Sequence, residues 1–206
     1  MGLPASSLKN VVINYAGDTE DALGYPLKVS GYTQPTIESV TISSSRRNAI
    51  ALDMGTYNSD FRLNIVGIPY YIESVYSWSQ QDLTVAAGAT MTVDPGVIIK
   101  FQDDLTYGNA ADLIVNGRIV ANGTADKPIY FTSYRNDTIG GDSNADGNSV
   151  PASMDWGGIY LNKDALGLPA SSLKNVVINY AGETDEGLRY PLKVSGYTQP
   201  TIESVT

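Results

Sequence analysis

The sequence predicts an all-β solenoid, a parallel β-helix of about six to seven coils stacked along one axis. Short apolar runs alternate with a period of two residues, as in half-buried strands, and no segment has the 3.6-residue period and caps of a helix. Turn residues separate the runs at short intervals. The runs also align from one segment to the next, which is typical of stacked repeats.

The strand pattern is clearest between residues 83 and 131. The apolar runs there are LTV, MTV and VIIKF, followed by LIV, RIVA and IYF, with AAG, DPG, NG and NGTADKP between them. Three runs with their corners make one coil, and stacking buries an aliphatic face that no coil buries alone. The inward positions predicted by this alternation are Leu83, Val85, Met91, Val93, Val97, Ile99, Phe101, Leu113, Val115, Ile119, Ile129, Phe131, Ile159, Leu161, Val176, Ile178, Leu192, Val194, Ile202 and Val205.

The first strands of successive coils are expected to stack in one series. Neighbouring coils lie about 4.8 Å apart, so five coils would advance about 24 Å. A β-sandwich is the competing fold, but it would favour two-residue hairpin turns, which are few here. The predicted series is Leu27, Ile50, Leu83, Leu113, Ile159 and Leu192, and glycines that fit corners of positive φ are Gly88, Gly96, Gly117 and Gly123.

One passage occurs twice, at residues 2–41 and 167–206, with an offset of 165 residues and thirty-five of forty positions identical. All five differences fall in the acidic runs GDTEDALG and GETDEGLR, which suggests a solvated surface loop. The interpretation is a single β-helix over residues 1–206. Within it, residues 2–166 are one tandem repeat unit and residues 167–206 begin the next.

Composition excludes several function classes. A net charge of −9 argues against a phosphate-binding surface and therefore against nucleic acid. The absence of cysteine excludes disulfides and thiolate metal sites, and the absence of histidine removes the commonest general base. No apolar run approaches the ~18 residues of a membrane span.

The segment GDSNADGNS has oxygen-bearing side chains at alternate positions followed by glycine, as at the start of a calcium loop. Asp142, Asn144 and Asp146 would supply side-chain oxygens and Asn148 its carbonyl. The distal bidentate glutamate of such loops is replaced by Ser153. Asp137 or Asp155 would complete the shell. The alternative is a solvated turn without metal, and the flexible oxygen ligands suit Mg²⁺ less well.

Catalysis and sugar binding are the two alternatives to a purely structural role. Glycoside hydrolysis needs converging carboxylates, for which the candidates are Asp94, Asp103, Asp104 and Asp112. Structural roles explain at least Asp94 and Asp112, so no enzyme is predicted. Surface glycans would stack on exposed aromatic rings, and the alternative is that tyrosines pack at the corners. The candidate rings are Tyr15, Tyr32, Tyr57, Tyr107 and Tyr134.

DLTVAAGATMTVDPGVIIKF and LIVNGRIVANGTADKPIYFTS resemble the right-handed parallel β-helix repeats of large bacterial surface and secreted proteins. DWGGIYL, LKNVVINYAG and the acidic insert YRNDTIGGDSNADGNS match the same pattern, whereas GIPYYIESVYSWSQQ fits it least. The resemblance implies a right-handed coil and an extracellular or cell-surface, adhesin-like protein. The expected function is a structural rod or display scaffold whose partners are neighbouring repeats, with end-to-end self-association.

Overall fold

The computed structural model describes residues 6–17, 24–29, 35–65, 67–72, 82–102, 110–162, 169–182, 190–196 and 199–206. These residues form an all-β structure without helices. No described segment is therefore a helix that could cross a membrane. The strands are β1 (Ser7–Lys9), β2 (Val12–Asn14), β3 (Leu27–Val29), β4 (Thr36–Glu38), β5 (Thr41–Ser43), β6 (Ile50–Leu52), β7 (Gly55–Tyr57), β8 (Phe61–Leu63), β9 (Tyr70–Ile72), β10 (Leu83–Val85), β11 (Thr90–Val93), β12 (Ile98–Phe101), β13 (Leu113–Val115), β14 (Arg118–Asn122), β15 (Ile129–Ser133), β16 (Ile159–Leu161), β17 (Ser172–Ile178), β18 (Leu192–Val194) and β19 (Thr201–Val205).

All strand pairings in the described part of the chain are parallel. β10, β11 and β12 pair with β13, β14 and β15, the strands three places further along the chain. The register matches apolar positions, so Leu83 lies beside Leu113 and Val85 beside Val115. Parallel neighbours cannot be joined by tight hairpins. The parallel pairings therefore exclude the antiparallel sandwich and are compatible with a β-solenoid.

The strands form curled sheets. One has the order β18-β16-β13-β10-β7, and β1–β4 and β2–β5 form separate pairs. The largest sheet has the path β3-β6-β9-β12-β15-β17-β14-β11-β8, with β19 beside β17. The long strand β17 joins two runs, because residues 172–174 pair with β14 and residues 176–178 pair with β15.

The predicted series of first strands is confirmed except at one step. Leu27 pairs with Ile50, and Leu83, Leu113, Ile159 and Leu192 pair in order. The prediction that Ile50 and Leu83 stack on each other was wrong. Ile50 lies beside Tyr70, and Leu83 lies beside Gly55. The 33-residue interval between Ile50 and Leu83 holds three strands, β7 to β9, one more than the two that separate strands stacked on each other elsewhere. The sequence argument did not separate this additional strand.

The core is one apolar cluster that runs through the stacked strands. Every predicted inward position from Leu83 to Phe131 is buried, as are Ile159, Leu161 and Val176. Val194 and Ile202 were predicted inward, but they are 43% and 45% exposed. They lie on β18 and β19, which pair on only one side among the described residues. Ile178, Leu192 and Val205 are partly buried.

The corner glycines serve two different purposes. Gly88 and Gly96 have φ of +92° and +86°, as predicted. The prediction of positive φ was wrong for Gly117 and Gly123, which are instead needed for close approach. A Cβ on Gly117 would lie 2.2 Å from the carbonyl oxygens of both Ala86 and Ala89, and one on Gly123 would lie 2.6 Å from that of Asn175.

Candidate functional sites in an acidic loop and at a repeated joint

The acidic loop, residues 134–149, leaves β15 and packs against the side of the structure. Gly140, Gly141 and Gly147 have positive φ, so the chain reverses there without the steric cost that other residues would incur. Ser143 is buried within this loop, and its carbonyl oxygen accepts a hydrogen bond of 2.9 Å from the Asn48 backbone N–H.

Three of the predicted calcium ligands converge in this loop. One carboxylate oxygen each from Asp137, Asp142 and Asp146 lies within 4.8 Å of the other two. Asp142 and Asp146 are exposed and Asp137 is half-buried. Three carboxylates at this separation repel one another unless a cation or hydrogen-bond donors compensate their charge.

Hydrogen bonds within the loop provide part of that compensation. The Asn144 side-chain amide donates to Asp146 Oδ2 at 2.8 Å, and the Gly147 N–H donates to Asp142 Oδ2 at 3.2 Å. The Ser149 N–H donates to Asp137 Oδ2 at 3.0 Å. Asn144 thus binds Asp146 through its amide nitrogen, and its Oδ1 is buried without a hydrogen-bond partner among the described residues.

The chain also supplies a cation, which the sequence argument missed. Lys100 is completely buried, and its Nζ donates to the Gly141 carbonyl at 2.8 Å. Burial lowers the pKa of Lys100 to about 8, although Asp137, Asp142 and Asp146 act in the opposite direction. The available signal was a lysine inside the apolar run VIIKF, at a position that the alternation assigns to the outer face.

The other predicted ligands are placed differently. Asp155 is buried and does not belong to the group of three. Its Oδ2 accepts hydrogen bonds from the Ser133 hydroxyl at 2.6 Å and the Ala152 N–H at 3.0 Å, and its Oδ1 lies 3.5 Å from the Arg135 guanidinium. Asn148 is exposed. Asp155 therefore connects the segment that follows the loop to Ser133 of β15.

Of the carboxylates considered for catalysis, that of Asp94 has a structural partner. Asp94 forms a two-pronged ion pair with Arg62, with both distances at 2.8 Å. Asp112 is buried, and its backbone N–H donates to Asp82, whose carboxyl pKa is raised by burial. Asp103 and Asp104 lie outside the described residues.

Of the tyrosines considered for sugar stacking, Tyr57 is buried and its hydroxyl donates to the Asp53 carbonyl at 2.8 Å. Tyr134 packs edge-on against Tyr71, with ring centroids 6.3 Å apart. Tyr15 is 86% exposed. Tyr32 and Tyr107 lie outside the described residues.

The second candidate site is the joint, defined here as the contact between the second copy (residues 167–206) and strands β14, β15 and β16. Backbone pairing is in register on all three strands. The Ser171 hydroxyl accepts a hydrogen bond from the Ile119 N–H at 3.1 Å, and the Asn175 amide donates to the Gly123 carbonyl at 3.1 Å. Trp156 Nε1 donates to the Asn179 carbonyl at 2.7 Å.

The described residues of the two copies share strand register, an ion pair and backbone conformation. Ser7 pairs with Thr36 in the first copy (residues 2–41), and Ser172 pairs with Thr201 in the second. The ion pair Lys9–Glu38, at 2.7 Å, recurs as Lys174–Glu203 at 3.2 Å. The backbone φ values also recur, at 54° and 46° for Asn10 and Asn175 and at 54° and 63° for Tyr15 and Tyr180.

The copies differ in whether other strands pack against them. Ser171 and Val176 are buried on β14 and β15, whereas their counterparts Ser6 and Val11 are exposed and half-buried. Tyr180 is half-buried, but Tyr15 is almost fully exposed. The first copy thus presents the surface that the second copy uses to dock.

Comparison of the chain with protein-family models, with curated proteins and with solved structures gives no match.

Proposed function

We propose that the chain is a right-handed parallel β-helix that acts, without catalysis, as a stiff rod or display scaffold in an extracellular or cell-surface tandem-repeat protein. The observation that carries the proposal is the joint. One forty-residue passage lies at residues 2–41, and its second copy docks, in register, on β14, β15 and β16. The last strands of the unit pair with a copy of its first residues. Such a unit suits repeated addition along one axis.

Stiffness follows from the hydrogen-bond arrangement. Each strand pairs along the stacking direction, so bending the stack strains many parallel bonds at once, and the core runs through the strands without a break in the cluster. Repeat proteins of this kind derive their stability from contacts between neighbours. Near-identical units serve a spacer well.

Solution scattering on polypeptides of one, two and three units tests this function. A stiff stack should lengthen by roughly 25 Å for each added unit, since a unit of about five coils advances by 4.8 Å per coil. A maximum dimension that grows more slowly and scatters widely would indicate beads on a flexible string and would contradict the rod.

End-to-end association is part of the proposal, with another copy of the chain as the partner. β1 and β2 each pair with one strand among the described residues, and Val12 and Tyr15 are 68% and 86% exposed beside them. Unpaired strand edges with exposed apolar side chains favour addition of further strands. Sedimentation should show concentration-dependent association, reduced by Val12→Lys. A strict monomer at high concentration would argue against it.

Calcium binding at Asp137, Asp142 and Asp146 is a second proposal, favoured by the convergence of their oxygens within 4.8 Å. Ca²⁺ prefers six to eight oxygen ligands, so backbone carbonyls and water would complete the shell. Thermal unfolding with calcium and with EDTA tests it, and Mg²⁺ serves as the control. An unchanged midpoint would reject the site. Lys100→Met should strengthen binding because it removes the cation that competes for the same carboxylates.

A further inference from the structure

The two copies of the repeated passage lie on different ladders, where a ladder is a run of hydrogen-bonded strands. β3 begins the run β3-β6-β9-β12-β15-β17. Its copy, β18, lies instead in the other sheet, beside β16. The far end of the β3 ladder is occupied by residues 176–178, which are copies of residues 11–13. Strands that are one repeat unit apart on the same ladder are therefore copies of different parts of the repeat.

The strand count explains this displacement. Among the described residues, sixteen strands, β1 to β16, precede the segment of β17 that copies β1. The described pairings advance by three strands when the two halves of β17 are counted separately, as in β9 to β12 to β15 and β10 to β13 to β16. Sixteen is not a multiple of three, so a unit contains five coils and one further strand.

We infer that each unit is turned by a third of a revolution about the stacking axis relative to the unit before it. This inference rests on the proposed β-helix and corrects the expectation of five whole coils per unit. Identical surfaces then lie on three lines along the rod. Register returns only after three units, or sixteen coils, which is about 77 Å at the interstrand spacing.

The rotation determines how a tandem protein meets its partners. A feature such as the acidic loop occurs once in each unit, so it faces three directions in succession. A partner on one side of the rod meets it at every third unit. An array of this kind therefore suits lateral neighbours on several sides, such as further rods packed around it, rather than one flat surface.

Disulfide crosslinking in the full chain tests the strand order on which the rotation depends, and the absence of native cysteine makes the readout clean. Three double variants share Thr84→Cys. The partner substitution is Ile114→Cys, Thr56→Cys or Ala51→Cys. In the structure Thr84 lies beside both Ile114 and Thr56. Five whole coils would instead place it beside Ala51. Paired positions about 4.8 Å apart fall within the 4.4–6.8 Å range that a disulfide spans.

After mild oxidation, the Thr84–Ile114 and Thr84–Thr56 pairs should lose both free thiols, and the Thr84–Ala51 pair should keep them. If the Thr84–Ala51 pair forms a crosslink and the Thr84–Thr56 pair does not, the inferred rotation is overturned. Failure of Ile114 as well would reject parallel stacking itself and hence the proposed function, so the two failures are distinguishable.

Spin-label distances provide a second measurement that does not require bond formation. Lys28 lies on β3, and Asn179 directly follows β17 on the same ladder, where its N–H donates to the Phe131 carbonyl of β15 at 3.0 Å. The two residues are five strand spacings, or about 24 Å, apart. Lys193, the copy of Lys28, lies on the other ladder. With labels on cysteines at these positions, the Lys28–Asn179 distance should be shorter than the Lys28–Lys193 distance. The reverse order would overturn the inference.

Discussion

At the scale of single residues, Lys100 is the least expected feature. A strand residue whose side chain points away from the core would ordinarily be solvated, but the acidic loop covers this one completely. Burial of an ammonium group is tolerated when carboxylates and a carbonyl acceptor lie close by. Lys100 thus connects the stability of the stack to the charge of the loop.

Stability should rise with pH between about 8 and 10. The pKa of Lys100 is about 8 in the folded chain, against an ordinary value of 10.5 that applies when the chain unfolds. Between these values the unfolded chain binds more protons than the folded chain, so the free energy of unfolding increases with pH. Above pH 10 the trend reverses, since burial raises the pKa of Tyr57 and Tyr70 and their unfolded forms ionise first.

Urea denaturation at several pH values measures this effect. Lys100→Met should flatten the rise, because methionine has similar length and no charge. Lys127→Met, at an exposed position, is the matched control and should keep it. A rise that survives in Lys100→Met would assign the effect to another group.

Gly117→Ala should be among the most destabilising small substitutions, at about 3 kcal/mol, the upper part of the usual range for single changes. Its Cβ would meet two backbone carbonyl oxygens that cannot yield as a flexible side chain would. Gly141→Ala is the control, because it has open space but a φ of +72°, and it should cost roughly 1–2 kcal/mol. Thermal and urea unfolding measure both variants. If Gly117→Ala and Gly141→Ala lose the same stability, lack of space is not the cause.

At the scale of elements, the sequence predicted strands best where one face is buried and the other is solvated. β10, β11, β13 and β14 have this burial pattern, and their two-residue alternation is visible. β6 and β9 are buried at all three positions, so their sequences do not alternate. Residues distant in the chain cover the outer faces of these strands, so no local sequence pattern predicts their burial.

For β9 the acidic loop is a distant cause of this burial. Tyr71 in β9 packs against Tyr134, and Gly140 lies close to the Pro69 ring and to Ile98. The candidate site was likewise only partly predictable. The spacing of Asp142 and Asp146 identified the loop, but a contact between Lys100 and Gly141 spans 41 residues and cannot be read from spacing.

Trp156 is the element-scale link between β12 and the joint. Its ring stacks on Phe101 with centroids 4.0 Å apart, and its Nε1 donates to the Asn179 carbonyl of the second copy. Trp156→Phe should keep the stacking but leave that carbonyl without its donor, at a cost of about 1–3 kcal/mol. Hydrogen exchange should accelerate in β17 and β18 while β10 and β11 remain protected. Uniform acceleration would contradict a local role at the joint.

At the scale of the whole molecule, the chain contains its own comparison between docked and undocked repeats. The copies are identical at thirty-five of forty positions, and their described residues share register and backbone geometry. The second copy packs on β14, β15 and β16, and the first does not. In a stack whose stability is the sum of contacts between neighbours, the same substitution should therefore have different costs in the two copies.

Leu173 and Leu8 provide that test, since Leu173 is fully buried at the joint and its copy Leu8 is only partly buried. Leu173→Ala should lower the free energy of unfolding by about 2–5 kcal/mol, the usual range for a buried leucine. Leu8→Ala should cost less than half as much, because solvent already reaches that side chain. Urea unfolding measured by circular dichroism gives both values. Equal costs would mean that β14 contributes nothing beneath the second copy, and the case for stacking by repeated docking would lose its energetic basis.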